Sequence, residues 1–208
     1  MKIYDFKAFP NPARVRIALA EKNLTDKVEF INVDLPAGEH KKAPFLAKNP
    51  SGGVPLLELD DGTFISECTA ITEYIDLIDG EPILTGSTPK ERAVIQMMQR
   101  RAEADLLDAV ATYFHHATPG LGAHIELHQN PTWGESSRTR ALAGMQYFNK
   151  LLGQQTYLAG DKFSMADITA FAGLIFADFA KIAIPENCTN LISWRARIAA
   201  RPSIKAAA

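Results

Sequence analysis

The alternation of apolar and polar positions divides this chain into a first stretch of short runs and a longer remainder with helical spacing. Lys2 to Phe6 is a β-rich run closed by Phe9-Pro10-Asn11-Pro12. Asn11 suits a helix N-cap and Pro12 the first helical position, with Val15, Ala18 and Leu19 facing inward. Lys27 to Asp34 reads as a second strand, and a β-α-β opening of this length implies a right-handed crossover and a parallel pair. Glu39 to Lys48 is a short basic helix or loop. Val54-Pro55 follows Ser-Gly-Gly and opens the run Leu56-Leu57-Glu58-Leu59, placing the proline where a strand can lack a ladder donor. Asp60-Asp61-Gly62 supplies hairpin residues, Thr63-Phe64-Ile65 returns as the next strand, and Ser66 can cap a helix whose buried face carries Ile71, Ile75 and Ile78.

Gly80 to Ser87, with Pro82 and Gly86, reads as a linker. Thr88-Pro89-Lys90-Glu91 forms a capping box, and from there to about Thr118 the pattern is helical. Thr118-Pro119-Gly120 and Asn130-Pro131-Thr132 are breaks, and Glu135 to Gly153 fits an amphipathic helix. Ser164 and Asp167 form a second capping box, with Phe163 and Ile168 placed as a staple. Ala166 to Ala183 is apolar nearly all round, as suits the central helix of a bundle. A last helix spans about Leu191 to Ala200 and ends at Arg201-Pro202, leaving an alanine tail as the single low-complexity tract. The expected domains are 1–79 and 88–208, joined by 80–87.

With 208 residues, 47% of them apolar, the chain is long enough for two packed domains. A net charge of −2 gives no sign of a nucleic-acid or membrane-surface partner. No run is long and apolar enough to span a bilayer, and MKIYDF opens as a strand rather than a signal peptide, which points to the cytoplasm. Cys68 and Cys188 form no Cys-x-x-Cys, so neither a redox dithiol nor a zinc site is expected, and inert thiols are the default.

The stretch from Asn49 to Asp79 carries the candidate chemistry. A helix starting directly after a strand presents unpaired N–H groups and the positive end of its dipole, which attract a carboxylate. Beside it stand Glu67, able to receive an ammonium group, and the Val54 backbone, which a cis Pro55 would leave facing outward. Together they fit a small peptide-like ligand, with its amide on Val54, its α-carboxylate at Cys68 and its α-amine on Glu67, the shape of a glutathione site. Taken singly, Val-Pro is also a plain strand opener and Glu67 a favourable first-turn anion.

In this order, Val54-Pro55, Glu67-Cys68 and Ala70-Ile71 resemble the pattern of the cytosolic glutathione S-transferases, and the resemblance covers almost the whole chain. It implies an α/β thioredoxin-like N-terminal domain followed by an all-α helical bundle, a homodimer, and glutathione as a substrate with no metal. Cys68 stands where the family usually has serine, so the hydroxyl contact to the glutamyl carboxylate is not expected, while the backbone N–H contact can remain. The family places a Tyr, Ser or Cys between the first strand and first helix to hold the glutathione sulfur as thiolate. Aligning on Arg14-Val15-Arg16-Ile17 puts Phe9, Pro10 and Asn11 there instead, and Tyr4 falls too early. The bacterial-type nu subgroup has a Thr-Pro-Asn turn at this place, of which this chain keeps Pro10-Asn11. The Asn11 amide can donate to a thiolate, or Asn11 can serve only as a helix cap.

The glycyl carboxylate of glutathione calls for a donor between the second and third strands, where His40, Lys41 and Lys42 are candidates ahead of Lys48, with His40 and Lys41 favoured; a solvated basic loop explains the lysines equally well. Tyr113 and His116, with Phe9, are candidates for the pocket of the second, apolar substrate, which Trp133 can cover. His115 and His116 face different sides of a helix and make a poor metal pair. Asp105 is a candidate to reach the glutamyl amine of a neighbouring subunit, as an acid on this helix does in some family members. The resulting expectation is conjugation of glutathione thiolate to small hydrophobic electrophiles. The alternatives are glutathione-dependent peroxide or disulfide reduction and a non-catalytic glutathione-binding module. Zeta-type isomerisation is disfavoured by the absence of that group's Ser-Ser-Cys run.

Overall fold

The computed structural model describes residues 1–7 and 9–207, so the last alanine of the tail lies outside the described residues. The chain forms two compact units. The first comprises Met1–Leu84 together with the chain from Pro202 onward, and the second is Thr85–Arg201.

In the first unit, β1 (Lys2–Asp5), α1 (Pro10–Glu21), β2 (Glu29–Asn32), α2 (Ala43–Leu46), β3 (Leu56–Glu58), β4 (Phe64–Ile65) and α3 (Cys68–Leu77) follow in order. The sheet runs β2-β1-β3-β4. β1 pairs parallel with β2, Ile3 opposite Phe30, and antiparallel with β3, Ile3 opposite Leu57; β3 and β4 form the expected hairpin. Strand alternation sends neighbouring residues to opposite faces. Ile3 and Leu57 pack with Val15, Leu19, Cys68, Ile71 and Ile75, beneath α1 and α3. Tyr4 and Leu56 pack on the other face with Val33, Leu35 and Phe45, beneath α2.

Several helix boundaries depart from the sequence reading. α1 starts at Pro10, with extended Phe9 as its N-cap, so Asn11 lies in the first turn and does not cap the helix. Either proline satisfies the geometry of a first turn, and the restriction that Pro10 places on Phe9 decides for the earlier start. α3 is entered through Glu67, at φ 69°, and not through a Ser66 cap. Ile78 lies past the end of α3 and is 44% exposed.

The stretch read as a linker is tied down. Asp76, fully buried in α3, accepts from Ile83 N–H at 2.9 Å and Leu84 N–H at 3.0 Å. The Lys22 side chain at the end of α1 is only 3% exposed. Its ammonium donates to the carbonyls of Asp76 at 3.0 Å and Glu81 at 2.8 Å and to Asp79 Oδ1 at 2.8 Å. A buried ammonium is tolerated when its protons find such acceptors. Leu84 is buried as a result.

The second unit contains α4 (Pro89–Ala102), a π-helical turn at Glu103–Leu107, α5 (Asp108–Ala117), α6 (Pro131–Leu152), α7 (Met165–Phe179) and α8 (Thr189–Ala199). The Thr88–Glu91 capping box forms as expected. The helical stretch is interrupted at Glu103–Leu107, where α6 approaches so closely that a side chain at Gly144 would strike the Asp105 carbonyl. Asn130-Pro131 is the start of α6 rather than a break, because Asn130 Oδ1 accepts from Trp133 N–H at 3.1 Å and Pro131 opens the first turn. α7 ends earlier than expected: Lys181 is left-handed at φ 62°, and Lys181 and Ile182 N–H return to the carbonyls of Asp178 and Ala177. A further helix, α9 (Pro202–Ala207), follows where a plain tail is expected; it packs on α1 and belongs to the first unit. Among the described residues no helix is long and apolar enough to cross a membrane.

The second capping box also forms as expected, and its acid is fully buried. Asp167 accepts from Leu158 N–H at 3.0 Å, Ser164 N–H and Oγ–H at 3.1 Å and Trp194 Nε1–H at 3.2 Å. Burial, opposed by these bonds, pushes its carboxyl from 3.8 up to about 6. A raised acid binds its proton more tightly in the native than in the unfolded state, so its contribution to stability falls as pH rises from about 4 to about 6. In urea unfolding, the stability difference between parent and Asp167→Asn should move in the parent's favour by about 1 kcal/mol between pH 7 and pH 5. A difference independent of pH would show that Asp167 is ionised throughout.

Candidate functional site

The residues singled out around the β3–α3 connection lie in the first unit. The Val54–Pro55 peptide bond is cis. Val54 is half-buried against the same apolar group as Phe9, and among the described residues no hydrogen bond falls on its backbone. Phe9 stacks edge-on against Phe6 with ring centres 5.2 Å apart. Glu67 is exposed, its side chain makes no capping bond, and its left-handed backbone is uncommon for a residue with a side chain. Such conformations cost on the order of 1–3 kcal/mol and cluster where a site requires them. The first backbone bond of the helix it opens runs from Ile71 N–H to the Glu67 carbonyl at 2.9 Å, so the N–H groups before Ile71 belong to the end of the helix.

The Cys68 thiol is buried and donates to the Asn11 carbonyl at 3.4 Å, joining the start of α3 to the first turn of α1. Asn11 itself is exposed, and its side-chain oxygen accepts from Arg14 Nη1 at 3.1 Å. The capping role is thereby excluded, while the amide nitrogen remains a donor. Tyr4 is unsuited to the sulfur for a second reason besides its position: its hydroxyl donates to Glu58 Oε2 at 2.5 Å and accepts from Lys48 Nζ at 2.6 Å. The Tyr4 hydroxyl, and after it the Lys2 ammonium, hold the Glu58 carboxyl below its ordinary value.

His40 and Lys41 lie on a 3-10 turn, Glu39–Lys41, that closes on the loop before Val54. A side chain at Gly52 would meet the His40 carbonyl at 3.0 Å and the Lys41 ammonium at 3.3 Å, so only glycine lets the two segments approach this closely. Lys41 is exposed, whereas His40 is buried and its Nδ1 has no hydrogen-bond partner among the described residues. Burial and then the Lys41 charge push the His40 pKa down, which keeps its ring neutral at neutral pH.

The remaining candidates belong to the second unit. Asp105, in the π turn, is held by Arg140 of its own chain, with Nε at 3.1 Å and Nη2 at 2.9 Å from Oδ1. His116 stacks on Trp133, ring centres 4.5 Å apart, and its Nδ1 accepts from Asn130 N–H at 3.1 Å, so the neutral ring carries its proton on Nε2. Tyr113 lies half-buried nearby in sequence on α5. His115 turns the other way, as adjacent helical residues must, and its Nδ1 lies 2.7 Å from Glu126 Oε1. Sequence reasoning missed Arg14 and Glu126. The helical spacing of Asn11 and Arg14 was a signal for the first, whereas nothing local marks the second.

Comparison with known proteins gives this geometry its family. Residues 10–78 match the glutathione S-transferase N-terminal domain and residues 134–207 the glutathione S-transferase C-terminal domain. The chain is 61% identical over 205 residues to glutathione S-transferase 2 of Saccharomyces cerevisiae, covering 99% of this chain and 88% of that protein. The crystal structure of Gtt2 from Saccharomyces cerevisiae superposes with a TM-score of 0.99 at 60% identity over 100% of both chains. A glutathione S-transferase domain-containing protein of Marinobacter aquaeolei superposes at 0.96 with 58% identity, over 98% of this chain and 100% of that one. With its β-α-β and hairpin unit followed by a helical unit, and with these matches over nearly all its length, the chain belongs to the glutathione S-transferase family.

Proposed function

We propose that the chain binds glutathione in its first unit and transfers the thiolate to small hydrophobic electrophiles. The observation that carries this reading is the junction at Glu67–Cys68, where a left-handed residue opens α3 and the next thiol bonds the first turn of α1. That junction supports a ligand whose α-carboxylate meets the start of α3, whose α-amine meets Glu67 and whose peptide amide meets the Val54 backbone. Lys41, beside Gly52, and the neutral His40 ring are suited to the glycyl carboxylate at the other end.

Conjugation requires the sulfur as thiolate, and a free thiol has a pKa of about 8.5. Donors directed at the sulfur favour its ionised form, and the same donors cost no reorganisation when they are already in place. In this reading Asn11 supplies them. Positioning of the two reactants does the rest, without a covalent enzyme intermediate. Tyr113 and His116 are the residues of the second unit that we assign to the apolar co-substrate. Asp105 Oδ1 is engaged by Arg140, so its Oδ2 is the atom left to meet the glutamyl amine of a neighbouring subunit.

Replacement of Glu67 by Ala should weaken glutathione binding by about 1–2 kcal/mol, an exposed charge being partly screened by solvent. Titration calorimetry measures this directly, and unchanged affinity would remove Glu67 from the site. The protein is expected to sediment as a homodimer at micromolar concentration; a monomer would eliminate the role given to Asp105.

A further inference from the structure

The first turn of α1 is short of hydrogen-bond donors for a reason written in its sequence. Pro10 and Pro12 have no N–H, and Ala13 N–H is already bonded to the Phe9 carbonyl at 3.1 Å. Asn11 is therefore the residue of that turn with donors to offer, one on its backbone and two on its side chain. Its acceptors are used within the fold: Cys68 Sγ–H meets its carbonyl at 3.4 Å, and Arg14 Nη1–H meets its Oδ1 at 3.1 Å. Among the described residues no acceptor takes the Asn11 Nδ2 protons.

We infer that Arg14 is a positioning residue that fixes the Asn11 carboxamide with its oxygen inward and its NH2 group outward, toward the sulfur of bound glutathione. The inference rests on the reading of Asn11 as the thiolate donor and adds the device that gives its amide one orientation. A guanidinium has five donors and no acceptor, so only the oxygen of the carboxamide can face it. A flipped amide would set N–H against N–H beside a fixed positive charge and would turn a lone pair toward the thiolate. Arg14 is 5% exposed, and it sits one turn along the same helix from Asn11, which is exposed. The buried partner is thus fixed by packing, and the exposed one is oriented by it. Cys68 restrains the backbone of the same residue, so both the main chain and the side chain of Asn11 are held before the ligand arrives.

The pKa of enzyme-bound glutathione, followed by thiolate absorbance against pH, tests this in a double-mutant cycle of Arg14→Met and Asn11→Ala. Each single change should raise that pKa by about one, a roughly tenfold weaker acid, and the double variant should show no further rise. An equal rise from Arg14→Met in the Asn11→Ala background would mean that Arg14 acts by its charge alone, which overturns the positioning role. No rise from Arg14→Met in the parent overturns it also. No rise from Asn11→Ala would refute the donor assignment itself, and the role of Arg14 with it; this outcome is distinguished from the previous ones by the single Asn11 variant. Thermal melts guard against loss of the fold. If Arg14→Met fails to fold, the side-chain NH2 resonances of Asn11 in the parent–glutathione complex decide instead. They should move with the ionisation of the bound thiol, and resonances indifferent to it contradict the proposal.

Discussion

Glu67 turns the chain from β4 into α3 through a left-handed backbone, and the candidate site depends on that turn. The conformation carries a cost that local sequence does not repay, since glycine is the residue suited to it. The return comes from what the turn brings together: a carboxylate, a helix end and a thiol that bonds to the neighbouring helix, all within two consecutive residues.

α1 and α3 are joined at both ends. At their starts Cys68 donates to Asn11; at their finishes Lys22, nearly buried, gathers Asp76, Asp79 and Glu81, while Asp76 holds the backbone of Ile83 and Leu84. Between these points lies the apolar packing of Val15, Leu19, Ile71 and Ile75 on Ile3 and Leu57. Removing Asp76 would take the acceptor from the Ile83 and Leu84 N–H groups, the latter in a buried bond, which costs more than the bonds themselves contribute. The frame thus fixes the spacing between the residues proposed to receive the sulfur and those proposed to receive the glutamyl end.

Much of this was legible in the chain. Val54-Pro55, the Asp-Asp-Gly hairpin and both capping boxes have local causes, and each appears where those causes place it. What was not legible needed either a choice between equal local signals or a distant partner. Pro10 and Pro12 both suit a first turn, so the start of α1 and the fate of Asn11 could not be read from spacing. A positive φ at Glu67 leaves no mark in composition. Asn130-Pro131 signals a break and a helix start with the same residues. The stretch 80–87 looks loose until Lys22 and Asp76, far away in sequence, are seen to bind it. The alanine-rich tail is helical because it packs on α1, a contact invisible in the tail itself. Asp105 could be picked out as an acid on its helix, but its pairing with Arg140 depends on the close approach of α6 at Gly144.

In the proposed complex one glutathione molecule lies across Val54, Glu67–Cys68 and the first turn of α1. Amide-resolved NMR of the parent protein titrated with glutathione should show the largest shifts at the backbone amides of Val54, Cys68 and Asn11, together with the Asn11 side chain, saturating at a common ligand concentration. Shifts that leave these residues unmoved while others saturate would contradict it.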